Sequence, residues 1–118
     1  MSFFDKDTKK SRKSFLYDKE TVFLDKNGHK NGTSYPSFFH SDQTNYYDRN
    51  GRRNGYSRPS YLYKDETVYC DSNGRKIGTS RKSFWNPDQT NYYDAKGRKI
   101  GDSHKSFFYD DEEVFRKK

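Results

Sequence analysis

The sequence predicts an all-β protein of about five 23-residue β-hairpin repeats, with a closed ring or flower favoured. Three observations carry that expectation. Thr21, Thr44, Thr67, Thr90 and Glu113 open successive blocks at a constant spacing with no gap, and a fixed period of this length marks an array or a radial repeat fold. Each block places strand formers before a tight-turn signal, as in Thr44-Asn45-Tyr46-Tyr47-Asp48 followed by Arg49-Asn50-Gly51. No useful window shows helical periodicity, and Gly or Pro interrupts the stretches that would need it.

The 118 residues form one expected repeat domain: a partial unit at 1–20, full units at 21–43, 44–66, 67–89 and 90–112, and a partial unit at 113–118. Residues 11–20 match the second half of a block, whereas the C-terminal EVFRKK matches only a first strand. A terminal unit split in this way closes a ring, and closure removes exposed strand edges. The runner-up is an open, single-layer sheet. It gains support from Ser2-Phe3-Phe4-Asp5, which reads as a degenerate first strand. Inside a unit, the first strand spans 44–48 and Asp48 caps the turn through its side chain. A second strand runs from Arg52 to Ser57. A third extended piece starts at Ser60 and carries Tyr61 and Leu62.

The expected core is aromatic. Val, Ile and Leu together number eight, against ten Phe and eleven Tyr. The third position of each block is aromatic: Phe23, Tyr46, Tyr69, Tyr92 and Phe115. So is the eighteenth, at Phe38, Tyr61, Phe84 and Phe107, preceded by Phe15. The nineteenth is large and apolar, at Phe39, Leu62, Trp85 and Phe108, preceded by Leu16. These positions are expected to stack as ladders between neighbouring units, where offset aromatic pairs add roughly 0.5–1.5 kcal/mol beyond burial. The second and fourth positions lie on the opposite face and alternate between units: Val22/Leu24, Asn45/Tyr47, Val68/Cys70, Asn91/Tyr93.

Two resemblances follow from these residues. The 23-residue period, the paired glycines and the following aromatic (Gly51, Gly55, Tyr61) resemble MORN (membrane occupation and recognition nexus) repeats over residues 21–112. Ser57 stands where a MORN unit carries the second glycine of its Gly-x-Gly. The tandem pattern YYDxxGRxxGxS, at Tyr46–Ser57 and Tyr92–Ser103, is more similar to bacterial β-hairpin repeat proteins of the β-flower type. The second resemblance implies architecture alone. The first implies scaffolding, with contact to acidic phospholipids.

No catalytic, metal or cofactor site is expected. Cys70 occupies a position held elsewhere by Leu24, Tyr47 and Tyr93, which marks it as a packing residue. A single cysteine also fits a reducing compartment. His29, His40 and His104 fall at non-equivalent positions, and no spacing resembles a zinc site. The recurring Ser-x-x-Ser has no recurring histidine to serve as its base. The DxNG turns interpose Lys26, Arg49 and Ser72 where a calcium loop needs oxygen ligands. A unique, deep pocket with a perturbed acid would reopen the enzyme class. The chain holds no apolar run of about 18 residues for a membrane span and no apolar signal region after Met1, so a cytoplasmic location is expected.

The cations are the strongest functional lead. The net charge is +7. Lys30, Arg52, Arg53, Arg75, Lys76, Arg98 and Lys99 follow the turn glycines, and Arg58, Arg81 and Lys82 precede the Ser-aromatic pairs. Repetition in sequence becomes repetition in space, so a cationic rim is expected to bind an anionic partner: nucleic acid, an acidic protein surface or a lipid headgroup. Two other readings are a self-assembling scaffold, with homo-oligomers made through the alternating face at Val22 and Val68, and a carbohydrate or peptide binder using Tyr47, Tyr63, Tyr93 and Tyr109.

Overall fold

The computed structural model describes residues 8–14, 19–38, 40, 42–61, 63, 65–86, 88–105 and 112–117. Ten antiparallel strands follow one another around a closed barrel. They are β1 (Lys10–Lys13), β2 (Thr21–Leu24), β3 (Lys30–Pro36), β4 (Thr44–Asp48), β5 (Arg53–Pro59), β6 (Glu66–Asp71), β7 (Lys76–Lys82), β8 (Gln89–Asp94), β9 (Lys99–Lys105) and β10 (Glu112–Lys117). The expected closed arrangement is the observed one, and the open sheet is excluded. The split unit is the seam: β1 pairs with β2 on one side and with β10 on the other, through Lys10↔Val114, Ser11↔Glu113 and Arg12↔Glu112. The two ends of the chain thus supply the two strands of the fifth hairpin. Ser2–Asp5, offered for the open alternative, lie outside the described residues.

Up-and-down topology sends every tight turn to one end of the barrel and every inter-unit loop to the other. The tight turns share one design. In the second unit the Asp48 carboxylate accepts the backbone N–H groups of Asn50 (2.9 Å) and Arg52 (3.0 Å), and Gly51 takes φ +82°, which L side chains avoid. Asp25, Asp71 and Asp94 accept the same pair of bonds in their own turns. The first of those turn contacts, the N–H of His29, is the main reason the Asp25 carboxyl lies below its usual range.

The aromatic ladder at the third position forms the core. Successive ring centroids from Phe23 through Tyr46, Tyr69 and Tyr92 to Phe115 are 6.0, 6.2, 6.3 and 6.3 Å apart. Glycine provides the space for these rings. Phe23 faces Gly32, Tyr46 faces Gly55, Tyr69 faces Gly78 and Tyr92 faces Gly101 across each hairpin. A Cβ on Gly55 would stand 2.6 Å from the carbonyl oxygen of Cys70. One extra residue per unit, Asn31, Asn54, Ile77 or Ile100, bulges the second strand next to its glycine. Ile100 packs against the ladder.

The other expected ladder does not form. Phe38, Tyr61, Phe84 and Trp85 are 94%, 86%, 89% and 89% exposed. They sit on the inter-unit loops, and Tyr61 follows strand β5 in a loop rather than in a third extended piece. Ser37, Ser60 and Ser83 close these loops by donating their N–H to Gln43, Glu66 and Gln89, which turns the following aromatic away from the sheet. Phe15, Leu16, Phe39, Leu62, Phe107 and Phe108 lie outside the described residues.

The alternation at positions two and four also acquires a physical basis. Val22, Leu24, Val68 and Cys70 are buried on the outer face of β2 and β6. Larger side chains flank them: Tyr56 is the cross-strand neighbour of Cys70, Arg58 that of Val68, and Tyr47 and Tyr93 pair with Thr33 and Thr79. Small apolar strands therefore lie between strands with long side chains that shelter them. Val22 and Val68 are themselves buried beneath these neighbours.

Two stability predictions separate the inner and outer aromatics. Tyr69→Ala should cost about 3–5 kcal/mol in urea unfolding, the usual loss for a large core aromatic. Phe84→Ala should stay within about 0.5 kcal/mol, as for exposed sites. Gly55→Ala should destabilise by more than the ~1 kcal/mol typical of a point substitution, because its methyl would meet rigid backbone.

Candidate functional site

Three surfaces carry chemistry. The first is the turn end, where Lys30, Arg52, Arg53, Arg75, Lys76, Arg98 and Lys99 meet. β1 begins there and β10 ends there, which adds Lys10, Arg116 and Lys117 to the same end. Some of these cations are engaged: Arg98 binds Asp94 at 3.0 Å, Arg116 binds Asp102 at 2.7 Å, and Arg53 donates to Asn45 and stacks on Tyr56. Lys30, Arg52, Arg75, Lys76 and Lys99 have no acidic partner among the described residues.

The second surface is the loop end with its adjoining outer groove. Arg58, Arg81 and Lys82 belong here, so the structure divides the expected cations between opposite ends of the barrel. Acidic residues accompany them: Asp65, Glu66, Asp88, Glu112 and Glu113 lie at the same end. A groove of about 460 Å³ crosses the outer face, lined among others by Arg58, Tyr61, Tyr63, Val68, Arg81 and Tyr93. Arg58 lies 4.6 Å from the centre of the Tyr61 ring and Arg81 lies 4.9 Å from that of Tyr93. Of the tyrosines expected at the surface, Tyr63 is 58% exposed. Tyr93 is half-buried beneath Arg81, and Tyr47 is half-buried with Tyr35 edge-on at 5.6 Å. Tyr109 lies outside the described residues.

The third surface is the lumen, which sequence reasoning missed as a site. At the loop end the barrel encloses a cavity of about 260 Å³, lined by the ladder rings together with Ser11, Thr21, Ser34, Thr44 and Glu113. Tyr46, Tyr69 and Tyr92 each share a hydrogen bond with a serine hydroxyl on the next strand, Ser57 (3.0 Å), Ser80 (3.1 Å) and Ser103 (3.3 Å). This explains the recurring serine: it satisfies a buried phenol. Burial raises the pKa of all three tyrosines, and the charge of Glu113 adds to the rise at Tyr69 and Tyr92.

Glu113 breaks the series Thr21, Thr44, Thr67, Thr90. That break was the available signal. Burial is the chief cause of its carboxyl lying above the usual range, while Lys105 and His104 oppose the rise. Its cross-strand neighbour Lys105 reaches towards Asp88 instead, 3.9 Å away.

No family model and no curated protein matches the chain. Among solved structures, a crystal structure of an Arabidopsis thaliana protein is similar, with a TM-score of 0.53 and 14% sequence identity over 94% of this chain and 81% of that one. The likeness is one of fold. Among the described residues no helix is long and apolar enough to cross a membrane.

The environment of Glu113 predicts a stability effect of definite sign. A carboxyl whose folded pKa is raised ionises first in the unfolded chain, so rising pH favours unfolding through the carboxylate range. Glu113→Gln removes that penalty. The variant should match the parent in melting temperature well below the ordinary value of 4.5 and exceed it at neutral pH.

Proposed function

We propose that this protein is a non-enzymatic interaction module that binds a polyanion through the turn end of its barrel. One observation carries the reading: the topology gathers Lys30 and the cation pairs Arg52-Arg53, Arg75-Lys76 and Arg98-Lys99, with Lys10 and Lys117, onto one end, and several of them have no acidic partner among the described residues. The geometry suits phosphate or sulfate groups. Arg52, Arg75 and Arg98 sit in turns whose aspartate accepts their own backbone N–H, and the other cations open or close adjoining strands, so little backbone has to be ordered on binding. The four Asp-capped turns are stiff platforms for otherwise mobile charges.

A second reading rests on the outer groove. Tyr61, Tyr63 and Tyr93 line it beside two guanidinium groups, an arrangement suited to stacking against a planar or sugar ring. Such binding would survive high salt.

A salt series separates the two. Heparin and short single-stranded DNA should bind with a logarithmic affinity that falls linearly with the logarithm of salt, with a slope near −0.9 or −0.7 per phosphate neutralised. Replacing Arg52, Arg75 and Arg98 by Ala should flatten the slope by about two to three contacts, whereas replacing Arg58, Arg81 and Lys82 should change it less. Absence of binding at ~50 mM salt, the low end of such a series, would overturn the polyanion reading. Binding that ignores salt and fails on Tyr61→Ala would favour the groove.

A further inference from the structure

The lumen holds a combination that the rest of the repeat does not need. Four units open on threonine, whose hydroxyl suits a half-buried strand start. The fifth opens on Glu113, which is half-buried at the loop-end mouth of the barrel. Its carboxylate forms no ion pair among the described residues. Leaving a carboxylate without a partner in such a place is unfavourable, and a threonine here would remove the penalty. The described residues lining the same cavity include no lysine or arginine. Lys13, Lys82 and Lys105 stand at the mouth but are exposed; Lys105 lies 3.9 Å from Asp88, and its charge also reaches Glu113 from the rim.

The walls favour the same sign of charge. Phe23, Tyr46, Tyr69, Tyr92 and Phe115 present an unbroken set of aromatic rings, and the ring quadrupole attracts cations to the faces. Each tyrosine hydroxyl is hydrogen-bonded to a serine hydroxyl, which fixes the rings in place. A volume of about 260 Å³ is just under the ~300 Å³ at which pockets for drug-sized molecules begin. The occupant must therefore be small. A hydrated metal ion would need several oxygen ligands of high charge, and here one carboxylate stands among neutral hydroxyls.

We propose that the barrel lumen binds a small organic ammonium ion, with Glu113 as its counter-ion and the aromatic ladder as its walls. The site is independent of the turn end: it opens at the opposite end of the barrel and has the opposite charge. A basic protein thus encloses one negative, aromatic-lined chamber. Among the described residues lining the cavity, Glu113 is accompanied by hydroxyls and aromatic rings, a lining suited to holding a cation.

Calorimetric titration of the full chain with choline tests this against 3,3-dimethylbutan-1-ol, its uncharged carbon isostere, and against glycerol. Choline should bind about tenfold or more tightly than the isostere, the discrimination expected from a desolvated cation–π and carboxylate contact. Glu113→Gln should weaken choline binding by a similar factor while leaving heparin binding unchanged and the melting temperature at neutral pH unchanged or higher. A purely structural Glu113 would lower the melting temperature when replaced. Tyr92→Phe keeps the ring and should retain choline binding. Equal binding of choline and its isostere, preferential binding of glycerol, or no binding of choline by the folded protein would each overturn the proposal.

Discussion

Five aromatic rings fill the centre of this barrel, and four of them, Phe23, Tyr46, Tyr69 and Tyr92, stand opposite a glycine in their own hairpin. A side chain on Gly55 would strike the Cys70 carbonyl of the next strand, and a small residue in place of Tyr46 would leave a void between Phe23 and Tyr69. Once each hairpin contributes one ring to the centre, the rings can meet only if the hairpins curve around them. Closure, register and burial follow from that single pairing. It also accounts for a chain with so few aliphatic residues: five rings fill a space that would otherwise take many more leucines and valines.

The bulges belong to the same constraint. One extra residue on the second strand of each hairpin raises the local twist and brings the turn over the end of the barrel. The aspartate then caps a turn whose direction the bulge has already set. At Ile100 the extra residue adds its side chain to the ladder. At Asn31 it bonds the hydroxyl of Thr8, which is fully buried. The strand, turn and bulge of each unit are thus one device, repeated around the ring.

The architecture was legible because repetition is a strong signal. The turn at Asp48–Gly51, the ladder at the third position and the closing split unit all follow from the period and from turn chemistry. The loop aromatics did not follow. Phe38, Tyr61 and Phe84 recur as faithfully as Tyr46 and Tyr69 do, and recurrence alone does not say whether a ring points inward. The distinction lies in register: the third-position rings fall inside the paired strands, four of them opposite a glycine, whereas the eighteenth position falls beyond the last paired residue of the strand. Cross-strand pairing is a long-range property, and the distribution of cations between the two ends was hidden for the same reason. Glu113 was hidden differently. A repeat draws attention to what is constant, and this residue matters because it departs from the pattern.

That departure lies where the repeat is discontinuous. The fifth hairpin is assembled from β10 and β1, which the chain does not join by a turn, and its strands carry Glu113 and Ser11 face to face. A carboxylate in each of the five strand starts would place like charges around one small mouth, each raising the cost of ionising the others. One carboxylate among four threonines avoids that repulsion and leaves the lumen with a polarity. The symmetric part of the barrel supplies rigid walls, and the asymmetric seam supplies a single charge. A ring of repeated units gains a charge in its lumen at the seam between β1 and β10.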